Sequence, residues 1–200
     1  MKKRNREKTE ETLLRSAAVL LRRDGFSEFG VNAVAREAGV DKVLIYRYFT
    51  DLDGLLAALA DHLDLWPSVE ELVSESDAIY RARPAAQQVR IVFRNLMKGL
   101  RKRPLTLEIM AWELAERNPL TNRLEVERAD LARIFTRRYG HTGPSEVDLS
   151  AFVVILSASI NYLTARMRLM DDFNGMNIGD DQAWQRLESS IDMICDRMLA

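Results

Sequence analysis

Val31–Phe49 reads VNAVAREAGVDKVLIYRYF, and its second half carries more large side chains than one buried stripe can hold. Val34, Ala38, Val40, Ile45 and Phe49 are apolar at positions that can face inward, and Ala35 is small where two short helices would touch. Gly39 supplies the left-handed residue that a chain leaving a helix needs. The spacing therefore predicts helices over 31–38 and about 42–48 with a tight turn between them, a helix-turn-helix. If Ile45 and Phe49 face the core, then Lys42, Val43, Tyr46 and Arg47 face outward. In water that surface is poor. Against a DNA major groove it makes sense: Arg47 or Lys42 can reach guanine, Val43 or Leu44 can touch thymine methyls, and Tyr46 and Tyr48 can hydrogen-bond phosphates. A plain helical hairpin with its aromatics packed on the next helix is the competing reading.

Working outward, a first helix over about Glu7–Asp24 carries Leu13, Ala17, Leu20 and Leu21 on one face and ends at Gly25. Gly30 stands at the N-cap of the second helix, where Ser or Thr would be stronger, and Asp41 at that of the third. Thr50 with Asp53 three residues later predicts a capping box opening a fourth helix that runs to about Asp64. Further helices are expected at about 69–80, 85–102, 105–117, 120–139, 146–170 and 182–199. Pro84, Pro104, Pro119, the turn HTGP (His141–Pro144) and the loop DDFNGMNIGDD (Asp171–Asp181) separate them. The fold class is all-α. Residues 1–50 read as a helix-turn-helix domain, helix 4 (about 51–64) as a bridge, and 65–200 as an effector-binding and dimerisation domain.

Composition agrees with a globular helical protein: 47% of the 200 residues are hydrophobic, and nine glycines and five prolines interrupt the chain. The net charge of −1 hides an asymmetry. Residues 1–50 hold 11 Lys/Arg against 7 Asp/Glu, and the remainder holds 18 against 23. A basic front on an acidic body suits a polyanionic partner. The one cysteine excludes an internal disulfide framework. No apolar segment follows the charged MKKRNREKTEE start, and the longest apolar run, AFVVIL (Ala151–Leu156), falls short of the roughly 20 residues that span a bilayer. The expectation is a cytoplasmic protein with no membrane partner.

Over about residues 8–60 the sequence resembles the TetR-type (tetracycline-repressor-like) bacterial transcriptional regulators. The matching text is a leading amphipathic helix ending in DGF (Asp24–Phe26), then VAREAGV (Val34–Val40), LIYRYF (Leu44–Phe49) and LLAAL (Leu55–Leu59). The resemblance implies an N-terminal three-helix DNA-binding domain, a divergent helical ligand-binding domain and a homodimer. Three positions depart from the family's pattern. Gly30 stands where Thr or Ser is usual, Val43 where Gly is frequent, and Leu52 where a phosphate-contacting Lys is common. The DNA-contacting set is then Lys42, Val43, Leu44, Tyr46, Arg47, Tyr48, Thr50 and Gly30, with Lys3 and Arg4 from the N-terminal basic cluster. That cluster reads either as an arm on the duplex or as a solubilising tail.

In the C-terminal part, Trp184, Leu187, Ile191, Ile194 and Met198 step by three and four residues, a seam suited to another helix. Together with Phe152, Leu156 and Ile160 they form the expected dimer interface; completion of a monomeric core is the alternative. Phe93, Met97, Met110, Trp112, Glu113, Asn161, Tyr162 and Arg166 are the expected lining of a pocket for a small, largely apolar effector of unknown identity. Solid core is the bland alternative at each position. Two histidines, one cysteine and no nucleophile elbow or nucleotide fingerprint argue against an enzyme. Asp61, His62 and Asp64 point apart on a helix, so no metal is expected, and no cofactor. Cys195 reads as a small buried residue, with a redox role left open. The function expected is a homodimeric repressor on a palindromic operator, released by its effector. The alternative is a helical dimer that binds DNA without an effector or acts as an activator.

Overall fold

The computed structural model of the chain describes residues 2–140 and 146–199, with side chains from residue 6 onward among the first helix's residues. The HTGP turn lies outside the described residues. Eleven helices and one short hairpin are described, so the all-α expectation holds. The chain folds as two compact units, one built from residues 1–65 with 104–126 and the other from 66–103 with 127–200.

In the first unit, α1 (Lys2–Asp24) starts five residues earlier than the sequence pattern suggests. Ion pairs at i, i+4, Arg6–Glu10 (2.7 Å) and Glu11–Arg15 (2.8 Å), run along its exposed side. Its Leu13, Ala17, Leu20 and Leu21 are buried against α2 (Val31–Ala38) and α4 (Leu52–Ala60), which contribute Val34, Ala35, Leu55, Leu56 and Leu59. Gly39 follows α2 in the left-handed region, φ 66°, and its N–H reaches back to the carbonyls of Ala35 and Arg36. The next helix, α3 (Val43–Phe49), is anchored by fully buried Ile45, and the Asp41 carboxylate accepts the Val43 N–H at 2.8 Å.

The α3–α4 turn differs from the expected capping box. Thr50 closes α3 at φ 74°, and Asp51 is the N-cap of α4, accepting the Gly54 N–H at 2.7 Å. Because the turn is this tight, a Cβ on Gly54 would lie 1.8 Å from the Phe49 carbonyl oxygen. Only glycine fits. The helix also stops at Ala60, short of Asp64. From further along the chain, α8 (Pro104–Glu113) packs on α1 and adds Leu105, Leu107, Ile109 and Met110 to this core.

The second unit begins with a true capping box: Ser68 Oγ accepts the Glu71 N–H and Glu71 accepts the Ser68 N–H, opening α5 (Val69–Val73). The single helix expected over 69–80 is two, because Ser74 turns left-handed (φ 55°) before α6 (Asp77–Ala82). Amphipathic α7 (Ala85–Arg101) is the central rod, covered by α5, α10 (Leu149–Arg166) and α11 (Asp181–Leu199). A ladder of charges runs along its contact with α11: Arg90 with Asp196 at 2.7 Å, Arg94 with Asp192, Lys98 with Glu188 at 3.9 Å, and Arg101 with Asp181. Beneath it Trp184 and Cys195 are buried. α9 (Pro119–Tyr139) begins in the first unit and ends in the second.

Between α10 and α11, where a loop was expected, Asp172–Phe173 and Met176–Asn177 pair antiparallel as β1 and β2. Asn174 and Gly175, both at positive φ, make the turn. The Trp184 indole N–H donates to the Ile178 carbonyl at 2.7 Å, tying this hairpin to α11.

Candidate functional site

On α3 the pattern of exposure follows the register. With Ile45 sealed inside, Val43 (60% exposed) and Tyr46 (53%) stand in solvent beside exposed Lys42 and Arg47. A seven-residue helix that buries one side chain in the core and keeps a valine, a tyrosine and an arginine outside, with Lys42 at its N-cap, presents a mixed apolar and cationic face. Leu44 and Tyr48 are half-buried at its margins, Thr50 is exposed at its end, and Gly30 is half-buried at the start of α2. Gly30 has an extended backbone (φ −179°) and no side-chain cap.

α1 adds to this face. Its first turns are helical, and the Arg6 guanidinium lies over the Tyr48 ring, 5.2 Å from the centroid, while its Nε donates to Glu10. This link raises the Arg6 pKa, chiefly through the Glu10 hydrogen bond. Lys3 and Arg4 sit on the first turn of the same helix, and their side chains lie outside the described residues. Arg23 holds α1 to α2 through Glu37 at 3.0 Å, and Arg23 is pushed further into its charged form by its bonds to Asp24 and Glu37. The three helices are thus pinned as one head.

The second unit holds a cavity of about 570 Å³. Its walls are Ala85, Gln88, Val89, Val92, Phe93 and Leu96 of α7; Arg128, Leu131, Ala132, Phe135, Thr136 and Tyr139 of α9; and Leu149, Ser150, Val153, Val154, Ser157, Ala158 and Asn161 of α10. Trp66, Leu72, Tyr80 and Gly140 complete it. The two phenols are turned to the protein: Tyr80 donates to the Gln88 carbonyl (3.3 Å) and Tyr139 to Asp77 (2.7 Å). Burial pushes the Tyr80 hydroxyl far up, and burial with the Asp77 bond pushes Tyr139 up to about 12. Both therefore offer neutral rings to the cavity.

Of the eight residues expected to line a pocket, the structure brings Phe93 and Asn161 to this cavity. Met97 is buried on another face of α7. Met110, Trp112 and Glu113 lie away from it on α8, which belongs to the first unit, where Trp112 stacks on Phe26 with ring centroids 5.4 Å apart. Tyr162 and Arg166 also lie off the cavity walls. Exposed Tyr162 packs edge-on against Phe173 of the hairpin (5.6 Å), and Arg166 lies over the Tyr162 ring. They miss the cavity because they fall past the last lining turn of α10. Residues the sequence reading passed over include the aromatic set Trp66, Tyr80, Phe135 and Tyr139. The signal was the aromatic spacing Phe135–Tyr139, i, i+4 on α9.

The residues expected at a dimer interface divide. Leu156, Ile160 and Trp184 are buried within the chain itself. Phe152, Leu187 and Ile191 are half-buried, and Ile194 and Met198 are exposed. Beside them stand Val154 (65% exposed) and Ile155 (64%) on α10. Over its 18 residues α10 has a mean hydropathy of 1.4 and only 17% of it is buried, so by length and composition it could cross a bilayer. The six-residue AFVVIL run understated this, because the serines and Asn161 that interrupt it add no charge. Among the described residues no group of three or more potential ligands could hold a metal, and His62 Nδ1 lies 2.8 Å from the Ala58 carbonyl.

Residues 13–59 match the family model for bacterial regulatory proteins of the tetR family. No curated protein matches the chain. Several solved structures do. A TetR-family regulator from Streptomyces coelicolor is 18% identical, with 95% of this chain and 89% of that one covered, at a TM-score of 0.61. One from Marinobacter aquaeolei VT8 is also 18% identical, with 100% and 99% covered, at 0.57. The regulator FadR from Bacillus subtilis, solved in complex with stearoyl-CoA, is 13% identical, with 92% and 96% covered, at 0.55. At such identities the likeness is one of fold. Residues 13–59, the helix-turn-helix with its flanking helices, thus match the tetR-family model, and the chain has the fold of the TetR-family transcription regulators it is similar to.

Proposed function

We propose that this protein is a ligand-responsive transcriptional regulator, a repressor that binds a palindromic operator as a homodimer and is released by a small, largely apolar effector. The observation that carries the reading is the α3 face, where Lys42, Val43, Tyr46 and Arg47 stand exposed around a single buried anchor. Such a helix has the size and chemistry to lie in a major groove, with Arg47 and Lys42 on guanine edges and Val43 on a thymine methyl. Arg6, Tyr48, Thr50 and the α2 start at Gly30 are placed to serve the flanking phosphates, and Lys3 and Arg4 extend that basic edge.

The exposed apolar strip Val154, Ile155, Ile194 and Met198 supports a second copy as its cover. A groove-reading helix also gains affinity from a second half-site about one DNA turn away. With that strip covered by protein, the reading remains cytoplasmic and without a membrane partner. The cavity favours an effector over the effector-free alternative. An effector acts only by binding unequally to the DNA-competent and DNA-incompetent states.

The direct test is titration of the full chain with its own upstream intergenic DNA. Cooperative binding to one inverted repeat is expected, with Arg47→Ala losing about 1–3 kcal/mol of specific affinity. Wild-type binding by that variant would remove α3 from the interface.

A further inference from the structure

The cavity has a shape and a polarity that name a class of ligand, and this inference rests on the reading of the cavity as an effector site. Its lining runs from Ala85 to Leu96 on α7, from Arg128 to Tyr139 on α9 and from Leu149 to Asn161 on α10. At about 1.5 Å per residue each row is ~16–18 Å long. Spread over that length, 570 Å³ leaves a mean cross-section of roughly 30 Å². A space lined over that length has room for one extended chain.

Its two ends differ. Near the junction of α9 and α10 are Tyr139, Gly140 and Leu149, and Tyr80 packs there on Tyr139 with centroids 4.7 Å apart. Both phenols are engaged elsewhere, and the described lining at this end is uncharged, with the Thr136 and Ser150 hydroxyls among its other polar groups. Arg128 and Asn161 are the lining residues farthest along α9 and α10 from that junction. The Arg128 guanidinium lies over the Trp66 ring, 5.6 Å from its centroid, and is the one charged group among the described lining residues. No carboxylate is among the described lining residues. The Asn161 Oδ1 is buried and lacks a hydrogen-bond partner, an uncommon state for a buried polar atom. An amide in that position is satisfied by a hydroxyl, which donates to its oxygen or accepts from its nitrogen in either orientation.

We propose that the cavity binds a linear amphiphile, a single acyl chain whose acidic head carries a hydroxyl, with the head between Arg128 and Asn161 and the chain running toward Tyr80 and Tyr139. The absence of an acidic side chain in the lining disfavours lipophilic cations, whose charge would be buried without a counter-ion.

The test is calorimetric titration of the full chain, without DNA, with three probes below their micelle-forming concentrations: 3-hydroxytetradecanoate, tetradecanoate and tetradecylamine. The hydroxy acid is expected to bind about tenfold more tightly than the plain acid, from one added buried hydrogen bond, and the amine not to bind. Asn161→Leu should abolish the hydroxy acid's advantage over tetradecanoate, and Arg128→Met should weaken both acids; thermal melts verify that each variant is folded. Equal binding of the amine, no advantage for the hydroxyl, or an undiminished advantage in Asn161→Leu would overturn the proposal. Parallel titrations onto DNA-bound protein separate it from the effector reading. If the acids bind and operator affinity stays unchanged, the ligand class stands and the effector role falls. If a compound of another class releases the DNA while all three probes fail to bind, the effector role stands and this ligand class falls.

Discussion

At the scale of single residues, the head is held by a few positions with no tolerance. Gly54 sits in α4 with its α-carbon against the Phe49 carbonyl, where a Cβ would approach to 1.8 Å. Gly54→Ala is therefore expected to cost about 3 kcal/mol or more, since backbone rather than a mobile side chain must give way. A denaturant melt of the full chain measures it, and a change under 1 kcal/mol would refute the tight turn. The Gly54 constraint was invisible in the sequence because it depends on Thr50 turning at φ 74°. By contrast, the outward set on α3 was legible: once Ile45 is buried, helical geometry dictates where Lys42, Val43, Tyr46 and Arg47 point. Asn161 was legible as a polar group on an apolar helix. That its Oδ1 lacks a partner was not, because this depends on neighbours far away in sequence.

At the scale of elements, α1 is longer than its apolar pattern, which begins only at Leu13. From Arg6 an ion pair to Glu10 precedes the apolar face, and a seam-based reading stops where apolar contacts stop. The extension puts Arg6 against Tyr48. Arg6→Ala is expected to lower DNA affinity across all sequences alike and to reduce the salt slope by about one. An unchanged slope would make the contact purely structural. In the other unit, Arg138 of α9 grips Asp77 through paired bonds of 2.7 and 2.8 Å and Glu70 at 2.6 Å. Those hydrogen bonds hold both carboxyls below their usual range. With depressed folded values, their stabilisation is complete above the unfolded carboxyl range near pH 4 and is lost as pH falls through the folded values. Arg138→Met should thus flatten the acid limb of a melting-temperature profile between about pH 5 and pH 2 while changing its slope little at neutral pH. An identical acid limb would show that the pairs are silent. A helix cap and a hairpin escaped the sequence reading despite local signals. Ser68 and Glu71 spell a capping box, and Asn174–Gly175 between Phe173 and Met176 spells a hairpin turn; only the turn lay in a stretch read as loop.

At the scale of the molecule, what could not be read was which helices share a core. α8 looked like a continuation of the C-terminal domain, yet Leu105, Ile109 and Met110 are buried in the first unit. Helical periodicity announces that a face is covered and is silent on what covers it. The same holds for Leu156, Ile160 and Trp184, whose spacing marks a covered face and which are buried within the chain. The strip that remains bare, Val154 and Ile155 with Ile194 and Met198, is where a dimer is expected to close. Ile155→Glu should yield a folded monomer in sedimentation at micromolar concentration, with operator binding weakened at least tenfold by loss of the paired half-site. A variant that stays dimeric would move the interface elsewhere. Cys195 offers a different kind of consequence. It is the chain's one thiol, fully buried below the α7–α11 charge ladder, and burial pushes its pKa up to about 11. Such a group is shielded from alkylating and oxidising reagents until α11 lifts away. Its modification rate becomes a native clock for that opening, ticking without any label having to be engineered in.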